Sequence, residues 1–310
     1  MANEQNRKWQ GTTSGSGWMH RELIKMLRGV PLGVMYGFAG IFVLPVWMIA
    51  KRQPVKDISL YFRNRYNLHG IKLWRAVWRN HYRMMQVVID KFAAFSGRKF
   101  EFEFEGNEAF KELEDKPDGF IMLSSHVGNS ELVGFSLGST KKQMSALVYA
   151  GESPSVMENR RRLLKEHNID MIKVDGSLDH LFEMNAALAS GNIVGMPADR
   201  VIGSQKTFNT TFLGTDTQFP LGPFATAVQR NVAAVAIFMM KESTKRYRLI
   251  VRPVHLSDEE SCSLNRRDRM KAMGVKFANA LEDVVKRYPE QWFNYFDFWN
   301  ESKKYTDGKD

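Results

Sequence analysis

The chain has 310 residues, 44% of them hydrophobic and 25% charged, which excludes wholesale disorder and allows one large domain or two smaller ones. A single cysteine, Cys262, excludes an internal disulfide and a cysteine-rich zinc site, and a reducing compartment is the natural reading. The net charge of +10 is gathered at the front: residues 1–100 carry 17 Lys+Arg against 4 Asp+Glu, and the remainder carries 27 against 30.

A basic first third on a near-neutral body implies attraction to an anionic membrane, an acidic carrier protein or nucleic acid. No zinc-finger or RNA-binding aromatic signature accompanies the charge, which disfavours nucleic acid. Residues 1–17, ending in "QGTTSGSG", read as a weakly ordered lead. The segment "GVPLGVMYGFAGIFVLPVWMIA", Gly29 to Ala50, runs 22 residues without a charge and carries a small-residue ladder at Gly29, Gly33 and Gly37. Pro31 and Pro45 disturb its ends, and basic residues flank both sides. A helix lying in one leaflet, a spanning helix and a buried soluble helix all fit; membrane contact is the expectation. Residues 1–55 are therefore read as a lead plus an apolar membrane-associated segment, and 56–310 as the main domain.

Within that domain, a helix over about 71–92 carries Trp74, Trp78, Met85, Val88 and Phe92 at helical spacing, with Lys72, Arg75, Arg79 and Arg83 on another face. The apolar stripe is expected to face the core and the basic one to face solvent, headgroups or a carrier. "KFEFEFEG" then alternates Phe100, Phe102 and Phe104 with Glu101, Glu103 and Glu105, as a half-buried strand does. From there strands ("FIMLSS", "SALVY", "DMIKV", "NIVGMPA") alternate with helices over Ser130–Leu137, Pro154–His167 capped by Ser153, Ser177–Ser190 and Phe224–Arg230. "VAAVAIFMM" and "YRLIVRPV" read as strands joined through Ser243-Thr244-Lys245, and Asn265–Arg287 as a long last helix. This order implies an α/β fold with a mainly parallel central sheet flanked by helices, preceded by the apolar helix.

The stretch "FIMLSSHVGNSELVG" carries the chemistry. His126 and Glu131 lie five apart, so in one continuous helix they would not share a face. They meet only if His126 sits in the turn after the strand and Glu131 on the first turns of the helix. Gly128 permits an unusual turn, and Asn129 or Ser130 can cap the helix. A carboxylate on one imidazole nitrogen leaves the other as a general base, and the helix N-terminus suits an oxyanion. A turn histidine and an unrelated helix acid is the competing reading.

"HVGNSE" resembles the His-x4-acid motif of the glycerolipid acyltransferase superfamily. With "ALVYA", "NRRRLLKEH", "LASGNIVGMPADR", "TFLGTDTQFPLGPFATAVQRNVAAVAIFMM" and "PEQWFNYFDFW", the chain is similar over most of its length to the lipid A biosynthesis (late) acyltransferases. Ser130 stands where an aromatic is common, Arg200 where His or Gln is common, and the closing aromatic block lacks the usual basic residues; these departures bear on the acceptor and acyl chain more than on the reaction. The resemblance implies that His126 deprotonates an acceptor hydroxyl, with Glu131 orienting it, and that the hydroxyl attacks an acyl thioester. The co-substrate is acyl-carrier protein, or less favourably a coenzyme A thioester, with no further cofactor. Asp199 and Arg200 close a strand on the edge that bears His126 if the strands are parallel, so Arg200 is a phosphate-contact candidate with Asp199 ordering the site. Arg160, Arg161 and Arg162 span more than half a helix turn, so at most two of them face one ligand; with Lys206 in the loop "SQKTFN" and Asn129 they complete the substrate-binding candidates. No second histidine lies at ligand spacing from His126, which disfavours a metal, and no Gly-x-Ser-x-Gly elbow exists. The aromatic tail Trp292–Trp299 is expected to pack on the body, with interfacial membrane contact as the other reading.

The expected protein is thus an O-acyltransferase at the cytoplasmic face of the bacterial inner membrane, with a lipid A precursor as acceptor and acyl-carrier protein and phospholipid surface as partners. Another polar lipid or lipid-like metabolite as acceptor, a non-catalytic lipid-binding scaffold and a hydrolase using the same pair are the alternatives.

Overall fold

The structure, a computed structural model, describes residues 29–136, 141–149, 154–166, 168–175, 177–201 and 206–299. The lead over residues 1–17, the capping Ser153, and Ser204 and Gln205 of the loop before Lys206 lie outside these. The strands are β1 (Glu101–Glu105), β2 (Phe120–Ser124), β3 (Met144–Tyr149), β4 (Ile169–Val174), β5 (Ile193–Pro197), β6 (Thr207–Phe212), β7 (Thr215–Pro220), β8 (Ala234–Lys241) and β9 (Arg246–Pro253). The helices are α1 (Leu32–Ala50), α2 (Arg52–Tyr66), α3 (Gly70–Phe95), α4 (Glu108–Asp115), α5 (Val133–Ser136), α6 (Pro154–Glu166), α7 (Asp179–Ala189), α8 (Gly222–Arg230), α9 (Asp258–Ser263) and α10 (Arg266–Arg287).

Seven strands form one sheet in the order β1-β9-β8-β2-β5-β3-β4. The run β8-β2-β5-β3-β4 is parallel throughout, and β9 is antiparallel to β8, the connection over 242–245 containing the expected Ser243-Thr244-Lys245 link. Alternate residues of β2 feed opposite faces: Ile121 and Leu123 join the core under α2, α3, α8 and α10, while Phe120 and Met122 join the core under α4. Both faces are covered, as a parallel sheet requires, and its strands read as unbroken apolar runs for that reason. The mixed α/β class with a mostly parallel sheet is the expected one.

Three local readings change. "SQKTFN" is not all loop: β6 starts at Thr207 and pairs with β7 as a separate hairpin, in which Gln218 donates across the strands to Asn209. The Phe face of β1 is not uniformly inward: Phe104 is 48% exposed, whereas Glu103 pairs with Arg246 and Arg248, and Glu105 with Arg252 and Arg287. An edge strand with one face in solvent can turn either set out, and here the arginines of β9 and α10 engage the acidic set.

The third change is in α3. The residues that face the core are Leu73, Ala76, Val77, Asn80, His81, Val87, Asp90 and, from the expected stripe, Phe92, while Trp74 is 57% exposed. Hydrophobicity misplaces the first part of the stripe because α3 buries polar groups there that have fixed partners. Asn80 Nδ2 donates to the Trp292 carbonyl at 2.9 Å, and Asp90 accepts from Lys241. The exposed Trp74 and the half-buried Trp78 and Tyr82 therefore interleave with Arg75, Arg79 and Arg83 and line a groove of about 480 Å³.

α1 is 19 residues long with a mean hydropathy of 2.0. Leu32, Tyr36, Ala39, Gly40 and Leu44 are buried on one side, with Leu32 and Tyr36 packed against Phe92 and Ala93 of α3. Val34, Phe38, Ile41, Phe42, Val46 and Ile49 are exposed on the other. The glycine ladder is not the docking face, since a Cβ on Gly29, Gly33 or Gly37 would meet nothing within 4 Å. Gly40 makes the close approach instead, for its Cβ would stand 2.7 Å from the Tyr82 ring. Pro45 stands in the first turn of the segment Leu44–Ala50, after a π-helical turn over Ala39–Val43 in which Leu44 N–H donates to the Ala39 carbonyl.

Candidate active site

β2 and β5 are adjacent and parallel, with Ser124 paired to Pro197. The ladder continues one step further, Ala198 N–H donating to the Ser124 carbonyl at 3.0 Å. Both strands then leave the sheet at their carboxyl ends, two residues later, at His126 and Asp199. The crevice at the carboxyl ends of parallel strands is where open α/β sheets bind ligands. His126 Nδ1 lies 2.8 Å from Asp199 Oδ1, and the His126 backbone N–H donates to Asp199 Oδ2 at 2.8 Å.

This geometry fixes the imidazole. An ionised carboxylate only accepts, so the proton of the neutral ring sits on Nδ1 and Nε2 is left basic. Both Asp199 oxygens are bound to one residue, which holds the carboxylate and the ring in one relative orientation. Asp199 is fully buried, whereas the His126 side chain is 37% exposed. Burial alone would raise the Asp199 carboxyl; the charge of His126, its hydrogen bonds and the Arg200 guanidinium outweigh that and hold it below the ordinary carboxylate range. A buried charge of this kind is tolerable only when paired and hydrogen-bonded.

The turn after His126 is pinned on several sides. The His126 carbonyl accepts from Phe293 N–H at 2.8 Å, Gly128 N–H donates to the Gln291 carbonyl at 2.9 Å, and Asn129 N–H donates to the Met239 carbonyl at 2.7 Å. Gly128 has φ +57°, and a Cβ there would stand 2.0 Å from the Met239 carbonyl oxygen, so glycine is required on both counts. The closing segment Trp292–Trp299 packs inward as expected, with Trp292, Phe293, Phe298 and Trp299 all buried. It also forms the floor of the His126–Asn129 turn, a role its aromatic composition does not reveal.

Several expected site residues land elsewhere. Glu131 sits in the 3₁₀ turn Ser130–Leu132 that leads into α5, and its Oε1 accepts from Lys91 Nζ of α3 at 2.7 Å. The carboxylate on His126 is therefore Asp199 and not Glu131. Asn129, expected among the substrate-binding residues, is buried, and its amide donates to the Val87 carbonyl at 3.2 Å and the Tyr247 hydroxyl at 3.4 Å. It does not cap the helix with its side chain.

Arg200 follows Asp199 and turns to the closing segment: Nε donates to Asn294 Oδ1 at 2.8 Å, a terminal nitrogen donates to the Phe293 carbonyl at 3.2 Å, and the guanidinium lies 5.3 Å from the Phe296 ring centre. Burial holds the Arg200 guanidinium below its ordinary pKa range, and the Asp199 charge opposes that shift. Arg161 and Arg162 are exposed on α6, the helix that follows β3 at the same sheet edge, while the Arg160 side chain lies outside the described residues. Lys206 is exposed at the start of the β6–β7 hairpin. Among the described residues no three His, Cys, Asp or Glu side chains stand close enough to hold a metal ion.

The arrangement is one basic imidazole nitrogen backed by a buried carboxylate at the mouth of a parallel sheet, suited to removing a proton from a hydroxyl. No curated protein matches the chain in a sequence comparison. The sequence model described as "bacterial lipid A biosynthesis acyltransferase" matches residues 58–299, a span that contains His126, Glu131, Asp199 and the aromatic segment, and the chain belongs to that family.

Proposed function

We propose that this acyltransferase moves a fatty acyl chain from an acyl thioester, on acyl-carrier protein in preference to coenzyme A, to a hydroxyl of a lipid A precursor. His126 Nε2 takes the hydroxyl proton as the oxygen attacks the thioester carbonyl. The tetrahedral oxyanion collapses, the carbon–sulfur bond breaks, and the thiolate takes the proton back from the imidazolium. An ester and a free thiol result, with no covalent enzyme intermediate. Asp199 supplies the counter-charge while the imidazolium exists. The single observation that carries the proposal is the doubly hydrogen-bonded His126–Asp199 pair within the family match. Glu131, tied to Lys91, anchors the turn against α3. Arg160, Arg161, Arg200 and Lys206 are the cations we assign to the phosphates of the acceptor or of the carrier's phosphopantetheine.

The enzyme works, in this reading, at the cytoplasmic face of the bacterial inner membrane. α1 lies in one leaflet and does not span. Nineteen residues at about 1.5 Å each are long enough to cross the hydrocarbon, but one side of α1 is occupied by the body, and its Tyr36 hydroxyl reaches Asp90. Spanning would draw α3 and its arginines into the bilayer with it. Lying flat, α1 presents Phe38, Ile41, Phe42, Val46 and Ile49 to lipid, and the neighbouring Trp74, Arg75, Trp78, Arg79 and Arg83 suit anionic headgroups and interfacial aromatics.

The test is transfer of label from acyl-carrier protein to total membrane lipid, with the product identified by mass spectrometry, for the intact protein and His126→Ala. A new acylated lipid from the intact protein, reduced by at least about a thousandfold in the variant, is the expected result. Absence of transfer from both carrier and coenzyme A donors in active membranes would refute the reaction.

A further inference from the structure

Asp90 and Lys241 form an ion pair that is almost fully removed from solvent, their side chains 0% and 1% exposed. Neither takes part in the reaction proposed above. Three donors meet on the one carboxylate: Lys241 Nζ and the Tyr247 hydroxyl on Oδ2, and the Tyr36 hydroxyl on Oδ1. Lys241 Nζ also donates to the Tyr36 hydroxyl at 3.1 Å and the Thr244 carbonyl at 3.4 Å. A buried ion pair is weak evidence of stabilisation, because desolvation offsets most of the attraction and an apolar replacement is often as stable. Its location is more informative than its energy.

Two arms run from this cluster to the catalytic turn. In one, the Tyr247 hydroxyl, bound to Asp90, accepts from Asn129 Nδ2 at 3.4 Å, and the same amide holds Val87 of α3. In the other, Lys241 is clasped through its backbone by the Gln291 side chain, with N–H to Oε1 at 2.9 Å and Nε2 to the carbonyl at 2.9 Å. The Gln291 carbonyl in turn accepts from Gly128 N–H. The arms reach residues 128 and 129, two and three positions beyond His126. The third donor on Asp90 comes from outside the sheet. Tyr36 carries the one hydroxyl in α1 and points it into the cluster from the buried stripe of that helix.

We propose that Asp90, Lys241 and Tyr247 are positioning residues that hold the His126–Asn129 turn, and that Tyr36 couples this support to the seating of α1 on the body. When α1 is docked, Asp90 has all three donors and the turn is fixed. When α1 lifts, the carboxylate loses a donor in a buried setting and the Lys241 and Tyr247 arms readjust. The effect on turnover rests on the acyl-transfer reading; the effect on the geometry of His126 does not.

The experiment uses the full chain in detergent micelles and three variants: Tyr36→Phe, Tyr247→Phe, and Arg287→Gln as a control that removes a partner of Glu105 at the far edge of the sheet. Three quantities are measured for each: kcat and KM for acyl-carrier donor at saturating acceptor, the rate of His126 carbethoxylation by diethyl pyrocarbonate followed by mass spectrometry, and Tm. Each tyrosine variant loses only a hydroxyl, so the fold survives. Both are expected to lower kcat about tenfold with KM within about twofold, and to change the carbethoxylation rate at least about threefold. Arg287→Gln is expected to lower Tm while leaving kcat and carbethoxylation as in the parent. Tyrosine variants that lower Tm but keep the parent's carbethoxylation rate would overturn the proposal, leaving the cluster a packing feature. A parent without acyl transfer, combined with shifted carbethoxylation in the variants, would refute the reaction and sustain the positioning role.

Discussion

Replacing Asp199 by Asn keeps the shape of the side chain and removes its charge, so it isolates what the carboxylate does for His126. The amide has one oxygen for two donors that now reach separate oxygens at 2.8 Å, the His126 backbone N–H and Nδ1. If the amide oxygen keeps Nδ1–H, its NH₂ faces the backbone N–H, donor against donor. If it turns over, NH₂ faces Nδ1, the ring proton moves to Nε2, and the base is lost. In either arrangement the imidazolium that forms during transfer lacks its counter-charge. At a separation of about 4 Å and an effective dielectric constant of about 20, that attraction is worth about 4 kcal/mol. The expected loss in kcat is therefore about a thousandfold. Acyl transfer from labelled acyl-carrier protein, with the folded fraction checked by Tm, measures it. Glu131→Gln supplies the contrast, since it breaks a part-exposed pair with Lys91 and leaves the His126–Asp199 hydrogen bonds in place. Its loss is expected to be at least about tenfold smaller than that of Asp199→Asn. The reverse order, with Glu131→Gln inactive and Asp199→Asn keeping more than about a tenth of the activity, would refute the assignment of Asp199 as the orienting acid and restore Glu131.

Other consequences are open to measurement. Gly128→Ala places a methyl 2.0 Å from the Met239 carbonyl at a positive φ, and is expected to cost at least about 2 kcal/mol in denaturant unfolding and to lower kcat, because the clash lies in the catalytic turn. Glu105, hydrogen-bonded to Arg287 and Arg252, has its carboxyl lowered to about 2. Its contribution is complete above the unfolded carboxylate value of about 4.3 and fades as pH falls towards 2. Partly exposed as it is, it should be worth about 1 kcal/mol, so Glu105→Gln should be less stable than the parent at pH 7 and match it near pH 2 in urea titrations. Replacing Arg75, Arg79 and Arg83 together by Gln is expected to weaken binding to vesicles containing anionic phosphatidylglycerol by about ten- to a hundredfold at low salt, at about 1 kcal/mol per charge less the share Arg79 has in its 3.0 Å pair with Glu290. That difference should shrink as salt rises, and an unchanged flotation profile would remove the groove from the membrane-facing surface.

Much of the layout was legible in the chain itself because it is set locally. The apolar runs "FIMLSS", "NIVGMPA" and "VAAVAIFMM" become strands because both faces of a covered parallel sheet need apolar side chains. The long last helix read over Asn265–Arg287 is α10, and the structure adds that the Asn265 side chain caps it by accepting from Asp268 N–H. The position of His126 was legible as well, since a strand followed by small residues, a histidine and a glycine fixes a turn within a few residues. The β6–β7 hairpin was harder to see: its polar "TFNTTF" pairs with "TDTQFP" and lacks the apolar alternation that marks a half-buried strand.

The sequence by itself determined the strand–turn–helix that presents His126, the glycine that turn needs, and the apolar helix at the front, because each follows from side chains a few positions apart. Only the tertiary structure decided which acid His126 uses. Asp199 is 73 positions away, and it reaches the ring because β5 lies beside β2 in a parallel register that carries both loops to one edge. Spacing along the chain favours the nearer Glu131, whose own partner, Lys91, arrives from α3. The same holds for Asp90, Lys241 and Tyr36, three residues that composition cannot connect. Burial made them partners, since each polar group withdrawn from water has to find another, and the sheet order determines which one is within reach.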